Sequence, residues 1–558
     1  MTTVTGGRLF AKALKREGVE KIFTLSGGHI MPIYYGCRDE GIEVIHVRHE
    51  ATAVFAADAY ARVTGKPGVA VTTAGPGIAN SSSAMAEAYC HGTPLIHIGG
   101  APALSLLDSG EEQDIDSIAL MGAISKWARR IANPYRVPDY VSIAYRHALT
   151  PTEGPVFLDM GEDLMFQEFE LEKVNFPESY RAEAEPFGDP DLVEAAADLL
   201  IAAERPGMMI GFGARFSTHH QEAVAELVEY LQIPVSVHTV CKGLFANEEE
   251  HPLFRMAGIQ QEADVMLMLN VENDYLINKS KPPFFAPDVK LIQVNPDPLR
   301  IGYNAPAEIG IVGGIGPVCH KLLEAVREKT AKRKPPAWAG RAADLVEEVE
   351  RPFTETYEDD SIPMNPGRCA YEVSRFLNAE GKDWTVVCDG GDAGVWMRRA
   401  AVARRPSQVM TMGPHGTLGC GPGFTLGAWA ANGKPVLYYT GDGSFGFYPM
   451  EFDTFCRFGV PVVCVISNDS AWGMIKYSQD MRHADLTAPG RVGVDLEQMR
   501  AYEKMAGIWD GYGEKVTDPE EIVPAIQRGF ASGRPSIINV EVDNVTTSPS
   551  TRGLVTYE

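Results

Sequence analysis

The chain has 558 residues, more than one hydrophobic core usually supports, so about two to four domains are expected. Hydrophobic residues make up 45% and charged residues 22%, and no apolar run approaches the roughly 20 residues that span a bilayer. Lys and Arg number 50 against 74 Asp and Glu, and the net charge of −24 repels phosphate backbones and anionic lipid, which makes nucleic acid and membrane poor candidate partners; a small-molecule substrate is expected.

In chain order, TGGRLFAKALKREGVEKIF reads as an amphipathic helix with Leu9, Phe10, Leu14 and Val19 on its inner face. It has neither the apolar core nor the cleavage site of a signal peptide, which predicts a cytoplasmic protein. PGVAVTTAGPG (67–77) and GPVFLDMG (154–161) read as strands, and the acidic, aperiodic stretch 167–190 that follows reads as a linker. PGMMIGFGA (206–214), IPVSVHTV (233–240), ADVMLMLN (263–270) and VKLIQVNPDP (289–298) form a second block of buried strands ending at turns. The charged segment 327–352 separates it from a third block, TVVCDGG (385–391), KPVLYYTGDGS (434–444), GVPVVCVISND (459–469) and RPSIINVEV (534–542). Apolar runs alternating with helical periodicity predict an α/β fold of three doubly wound parallel-sheet domains, residues 1–186, 187–345 and 346–558. The cysteines show no CxxC spacing and read as reduced core residues.

In open α/β sheets, ligands bind beyond the carboxyl ends of strands. GDGSFGFYPMEFDTFCRFGVPVVCVISND (441–469) places Asp442 at one such end and Asn468-Asp469 at the next, with the helical pattern MEFDTFCRFG between them. This βαβ unit presents oxygens from neighbouring strand tips to one cation. A hard ion such as Mg²⁺ takes a few protein oxygens and completes its octahedron with phosphate, so a diphosphate ligand follows.

The GDG motif followed by an Asn-containing pair resembles the cofactor motif of the thiamine-diphosphate-dependent superfamily of acetolactate synthases, decarboxylases and lyases. The resemblance spans the whole chain, as pyrimidine-binding, middle and diphosphate-binding domains. It is closest in detail to benzaldehyde lyase, through GGHI, RHEA, ISKWARR, GDGS, EFDT and AWG, with echoes of oxalyl-CoA decarboxylase and the 2-hydroxyacyl-CoA lyases around FGFYPMEFDTFCRFGVPV. It implies thiamine diphosphate and Mg²⁺ as cofactors, with Asp442, Asp469 and the Ala471 carbonyl on the metal. The second side-chain ligand is usually Asn, which leaves open whether Asp469 or Asn468 serves. Gly441, Gly443 and Ser444, with Gly391, Asp392, Trp472, Gly473, Met474 and Ile475, are implied around the cofactor. Thr73, Gly75 and Asn80 in TTAGPGIAN are implied against the pyrimidine, and Gly416 and Leu418 in HGTLGC beneath the thiazolium.

Glu50, in RHEA, is the implied catalytic carboxylate, and His29 and Gln113 match the active-site histidine and glutamine of benzaldehyde lyase. Neutral donors at these positions suit cleavage of a 2-hydroxy carbonyl compound. Arg404, Arg405, Lys476, Arg482 and Arg552 are candidates for the phosphates of CoA or ADP. The expected function is a carbon–carbon lyase and carboligase for 2-hydroxyacyl-CoA or related acyloins. Acetolactate-synthase-like chemistry on 2-oxo acids, or an inactive nucleotide-binding regulatory subunit, are the alternatives. The family builds each site between two subunits, which implies a homodimer at least and a homotetramer as the expected assembly.

Overall fold

Short β-branched and apolar runs form parallel strands, and the helices between them cover both sheet faces. The computed structural model describes all residues except 1, 183, 217–219, 238–240, 246–250, 255–256, 334–336, 483–490 and 557–558. The first third contributes β1 (Thr3–Thr5), β2 (Lys21–Thr24), β3 (Glu43–His46), β4 (Gly68–Thr72), β5 (Leu95–Ala101), β6 (Trp127–Ile131), β7 (Pro155–Gly161) and β8 (Glu168–Glu170). The middle contributes β9 (Pro206–Ile210), β10 (Val235–Val237), β11 (Val265–Leu269), β12 (Lys290–Asn295) and β13 (Ile309–Val312). The last third contributes β14 (Thr385–Cys388), β15 (Val409–Thr411), β16 (Val436–Gly441), β17 (Val462–Asn468), β18 (Tyr512–Val516) and β19 (Ser536–Glu541).

Each block is one parallel sheet, ordered β3-β2-β4-β5-β7-β6, β10-β9-β11-β12-β13 and β15-β14-β16-β17-β19-β18. The fold is thus three doubly wound α/β units. The first and third sheets share one strand order, second-first-third-fourth-sixth-fifth, although their sequences show no repeat. Each reverses direction between its first and third strands, which opens a crevice at β2/β4 and another at β14/β16.

The expected strands of all three blocks are present. In IPVSVHTV the strand covers Val235–Val237, and 238–240 lie outside the described residues. Two segments differ from the sequence reading. The stretch 167–190 begins as β8, which pairs antiparallel with β1, and Leu171, Val174, Phe176 and Tyr180 pack on the core beneath the N-terminal helix. The charged segment includes the helix Ala337–Thr354, whose Trp338, Ala342 and Leu345 cover the middle sheet while Phe353 enters the third core. Residue 345, the expected boundary, therefore lies inside a helix that belongs to both units. Among the described residues, no helix is long and apolar enough to cross a membrane.

The first and third units share one core, centred on helices Glu50–Thr64 and Gly421–Asn432. The first is lined with alanines, and the second approaches so closely that a Cβ at Gly423 would lie 2.4 Å from Phe55 Cβ, and one at Gly427 would lie 2.1 Å from the Ala56 carbonyl oxygen. Gly427→Leu is therefore expected to separate the two helices and lower the calorimetric melting transition, since overpacking alone costs about 1–3 kcal/mol. An unchanged transition would mean that the helices do not meet in solution.

Candidate active site

Two groups of candidate residues gather at the carboxyl ends of the first and third sheets, each at the crevice where strand order reverses. In the first sheet, β2 leads through Gly27 into the turn Gly28–Ile30, which carries His29, and β4 leads into Thr73. His29 Nδ1 lies 3.1 Å from Thr73 Oγ1, and its Nε2 lies 3.8 Å from Glu162. If the Thr73 hydroxyl donates to Nδ1, the imidazole proton sits on Nε2. Gly100 lets the backbone run against His29, where a Cβ would come within 2.5 Å of His29 Cβ. Gly75 sits at φ 52° with no room for a side chain, because a Cβ there would meet Gln113 Cβ at 2.8 Å. Among the described residues, Gln113 Oε1 is buried without a hydrogen-bond partner.

Glu50 opens the helix Glu50–Thr64, whose N-cap is His49, and is only 7% exposed. A carboxylate in the first turn is favoured by the helix dipole. Asn80 Nδ2 donates to Glu50 Oε2 at 3.1 Å, and Oε1 lies 3.6 Å from the place a Gly77 Cβ would occupy. The structure thus brings Glu50, Asn80, Thr73, Gly75, His29 and Gln113 onto one edge of the first sheet. Among the described residues, no Lys or Arg hydrogen-bonds or ion-pairs with His29, Glu50 or Gln113.

In the third sheet, Asp442 follows β16 and Asp469 follows β17, as the βαβ reading requires. Asp442, Asp469 and Ala471 line one cavity with Gly391, Asp392, Gly416, Leu418, Gly441, Gly443, Ser444, Trp472, Gly473, Met474 and Ile475. Asn468 does not line it. Its carboxamide is held in the sheet, donating to Asn539 Oδ1 at 3.1 Å and accepting from the Ser470 amide at 3.1 Å, so of the pair it is Asp469 that faces Asp442. Asp392 lines the cavity, but its carboxylate accepts from the Ser548 and Thr551 hydroxyls at 2.6 and 2.7 Å and from Trp396 Nε1 at 3.0 Å. It anchors the C-terminal segment to the helix Asp392–Ala400, and burial raises its carboxyl above the usual range against those hydrogen bonds.

These residues fit a divalent cation. Among the described residues, Asp442 Oδ1 is buried with no hydrogen-bond partner. Burial pushes both carboxyl groups up, and at Asp469 the facing Asp442 charge adds to the rise. A Cβ on Gly473 would lie 2.5 Å from Asp469 Oδ2, so backbone passes close to the carboxylates where a diphosphate would need room. Among the described residues, no three His, Cys, Asp or Glu side chains gather at one metal position, so a cation here would need ligand oxygens to complete its shell.

The cavity, about 1220 Å³, continues from Asp442 past Gly391 to Gln260 and Tyr275 of the middle unit. Arg398, on its wall, makes no hydrogen bond or ion pair with its side chain among the described residues, and burial pulls its pKa down. The sequence reading missed it and chose Arg404 and Arg405 instead. Arg404 reaches Asn378, Arg405 reaches Thr385, and neither lines the cavity. Of the five expected cations only Lys476 does, with its ammonium on the Asn544 carbonyl at 2.7 Å. A sign of Arg398 was present in the sequence, since it lies on the helix that starts at the cavity residue Asp392.

Glu50, His29 and Gln113 do not line this cavity, so the candidate residues of one chain form two groups. Met31, Tyr35 and Ile115 are exposed beside the first, and Phe447, Met450 and Ile475 beside the second.

Comparison with known proteins also finds three domains along the chain. Sequence models of the thiamine pyrophosphate enzyme N-terminal TPP binding domain, central domain and C-terminal TPP binding domain match residues 4–120, 193–322 and 389–540. The chain is 33% identical to acetolactate synthase large subunit IlvG of Mycobacterium tuberculosis, covering 98% of this chain and 97% of that one. It is 28% identical to oxalyl-CoA decarboxylase of Escherichia coli, covering 96% and 95%. It is 29% identical to human 2-hydroxyacyl-CoA lyase 2, covering 85% and 80%.

Proposed function

Because this chain belongs to the thiamine pyrophosphate enzyme family, we propose that it is a thiamine-diphosphate and Mg²⁺ dependent carbon–carbon lyase, reversible as a carboligase, for 2-hydroxyacyl-CoA or related acyloins. The observation that carries this reading is the placement of His29 and Gln113 at the same sheet edge as Glu50, where among the described residues no Lys or Arg hydrogen-bonds or ion-pairs with any of the three. A cationic partner favours the carboxylate of a 2-oxo acid, whereas an acyloin or thioester has no carboxylate to pair. The extension of the cavity along Arg398 toward the middle unit supports a long, anionic substrate arm.

When bound, thiamine diphosphate supplies a carbanion that adds to a carbonyl and stabilises the charge left by carbon–carbon cleavage. Asp442, Asp469 and the Ala471 carbonyl would hold the cation. Glu50, from the first half-site of a second copy, takes and returns a proton. His29 Nε2–H and the Gln113 carboxamide N–H donate to oxygen as it gains negative charge, which favours the transition state without a permanent charge in the pocket. The first group lies outside the cavity that Asp442 and Asp469 line, which supports a site assembled between two copies, as a homodimer at least and a homotetramer in the expected assembly. The exposed apolar residues flanking both half-sites support this arrangement.

The deciding experiment incubates the protein with thiamine diphosphate, Mg²⁺ and a 2-hydroxyacyl-CoA, and in reverse with formyl-CoA and a panel of ketones and aldehydes, beside benzoin and pyruvate. Mass spectrometry is expected to find formyl-CoA and one carbonyl product from the thioester. Acetolactate from pyruvate alone would replace this reading with 2-oxo-acid chemistry. Cofactor binding with no turnover of any substrate would favour a regulatory subunit.

Asp469→Asn is expected to retain cation-dependent cofactor binding, because an amide oxygen replaces a carboxylate oxygen at the position facing Asp442. Calorimetry in which binding disappears would mean that the charge of Asp469, and not its oxygen, holds the ion.

A further inference from the structure

The segment between β15 and the helix Gly421–Asn432 carries Gly416 and Leu418 on the cavity wall and turns through positive φ at Gly416 (71°) and Gly419 (81°). Buried carboxylates hold this segment at both ends. At the start, Glu87 of the helix Ser82–His91 accepts the Gly413 N–H through Oε1, 3.5 Å from Arg62 Nη2. Arg62 Nη1 donates to the Thr411 carbonyl at 2.9 Å. A Cβ on Gly413 would lie 3.0 Å from Glu87 Oε1 and 2.3 Å from His91, so only glycine admits this approach. At the far end, Asp389 Oδ1 accepts the Gly419 N–H at 3.1 Å and Oδ2 the Gly421 N–H at 3.0 Å. Between them the Ser83 and Thr417 hydroxyls stand 3.0 Å apart. Both carboxylates are 0% exposed. Burying a carboxylate is costly, and apolar packing would serve stability as well or better. What these two do that a leucine does not is fix individual backbone amides of one loop.

We propose that Glu87 and Asp389 are positioning residues, which lock the backbone of 411–421 so that Leu418 and the Gly416 carbonyl stand in place against the cofactor ring. The inference rests on the thiamine diphosphate reading above. Glu87 reaches the loop from the first unit of the same chain, whereas Glu50 of that unit serves the other copy's cavity.

The test compares wild type, Glu87→Ala, Glu87→Gln and Asp389→Asn. Amide hydrogen exchange of the 411–421 peptides is followed in cofactor-free protein, together with thiamine diphosphate affinity in Mg²⁺, exchange of the bound cofactor's C2 proton, and kcat. Glu87→Ala is expected to raise amide exchange in this segment without cofactor. C2 exchange and kcat should fall by roughly 10- to 100-fold, the scale of a misplacement of about 1 Å. Cofactor affinity should hold, because Asp442 and Asp469 are untouched. Glu87→Gln keeps an acceptor for Gly413 and should recover most of the rate. Should Glu87→Ala fail to fold, Asp389→Asn decides, since it turns an amide nitrogen toward one of the loop's N–H groups and must show the same split. Faster amide exchange with unchanged C2 exchange and kcat overturns the inference alone, as does a loss of rate matched by an equal loss of affinity. Wild-type protein that binds no thiamine diphosphate overturns the site reading, and the inference with it.

Discussion

Glu50→Gln is expected to bind thiamine diphosphate and Mg²⁺ as the wild type does and to lose turnover by about 10²- to 10⁴-fold, the range for removing a general acid–base group. The substitution is nearly isosteric. The carboxamide oxygen of the variant can still accept from Asn80, and the His49 cap and the helix behind it are untouched, so the fold and the diphosphate end have no reason to change. What is lost is the ability to hold and release a proton. The carboxylate is 7% exposed, so bulk water is poorly placed to substitute for it. Steady-state kinetics beside calorimetric titration separates the two effects. Wild-type turnover in this variant would remove Glu50 from the mechanism, and lost cofactor binding would assign it a structural role.

Arg62→Met is expected to destabilise the chain by about 3–5 kcal/mol, as for breaking a buried ion pair from one side. The guanidinium is held by Asp58 at 2.7 and 2.6 Å, lies 3.5 Å from Glu87, donates to the Thr411 carbonyl at 2.9 Å and sits 4.5 Å over the Phe424 ring. Asp58 and Glu87 are each 0% exposed, and methionine leaves both without their cation. Because these contacts join the first and third units, the loss should appear in the transition that separates those units. A chain of several units need not unfold in one step, so scanning calorimetry resolved by transition is the appropriate measurement. The triple variant Asp58→Leu, Arg62→Met, Glu87→Leu should recover stability, because no charge is then stranded. A loss of less than about 1 kcal/mol in the single variant would place this network among weak, solvated pairs.

Much of the candidate site was legible from local pattern. The unit from Val436 to Asn468 is a strand, a helix and a strand in direct succession, with period and punctuation that need no distant partner. Strand tips follow from strands, so Asp442 and Asp469 were placed correctly relative to each other from residue order. The first half-site was harder to read from pattern. Thr73 and Gly75 lie on one turn, but Gln113 meets Gly75 across a loop of irregular backbone, with Gln113 itself at φ 63°. Nothing in the sequence around Gln113 announces that contact.

Residue order and hydrophobic period by themselves determined the α/β class, the three blocks, and which carboxylates end neighbouring strands, because these depend on interactions a few residues apart. Only the tertiary structure shows that Asp469 lines the cavity while Asn468 is held by Asn539 on the adjoining strand, and that Arg398 is on the cavity wall while Arg404 and Arg405 are not. It also turned an apparent linker into a strand paired with Thr3–Thr5, and drew Glu87 onto a loop more than 300 residues away, |i−j| being 326 at Gly413. Partners so distant in sequence leave no periodic trace in either segment. The direction of a side chain at a strand end, and the use of a buried charge, are fixed by the neighbours that packing supplies.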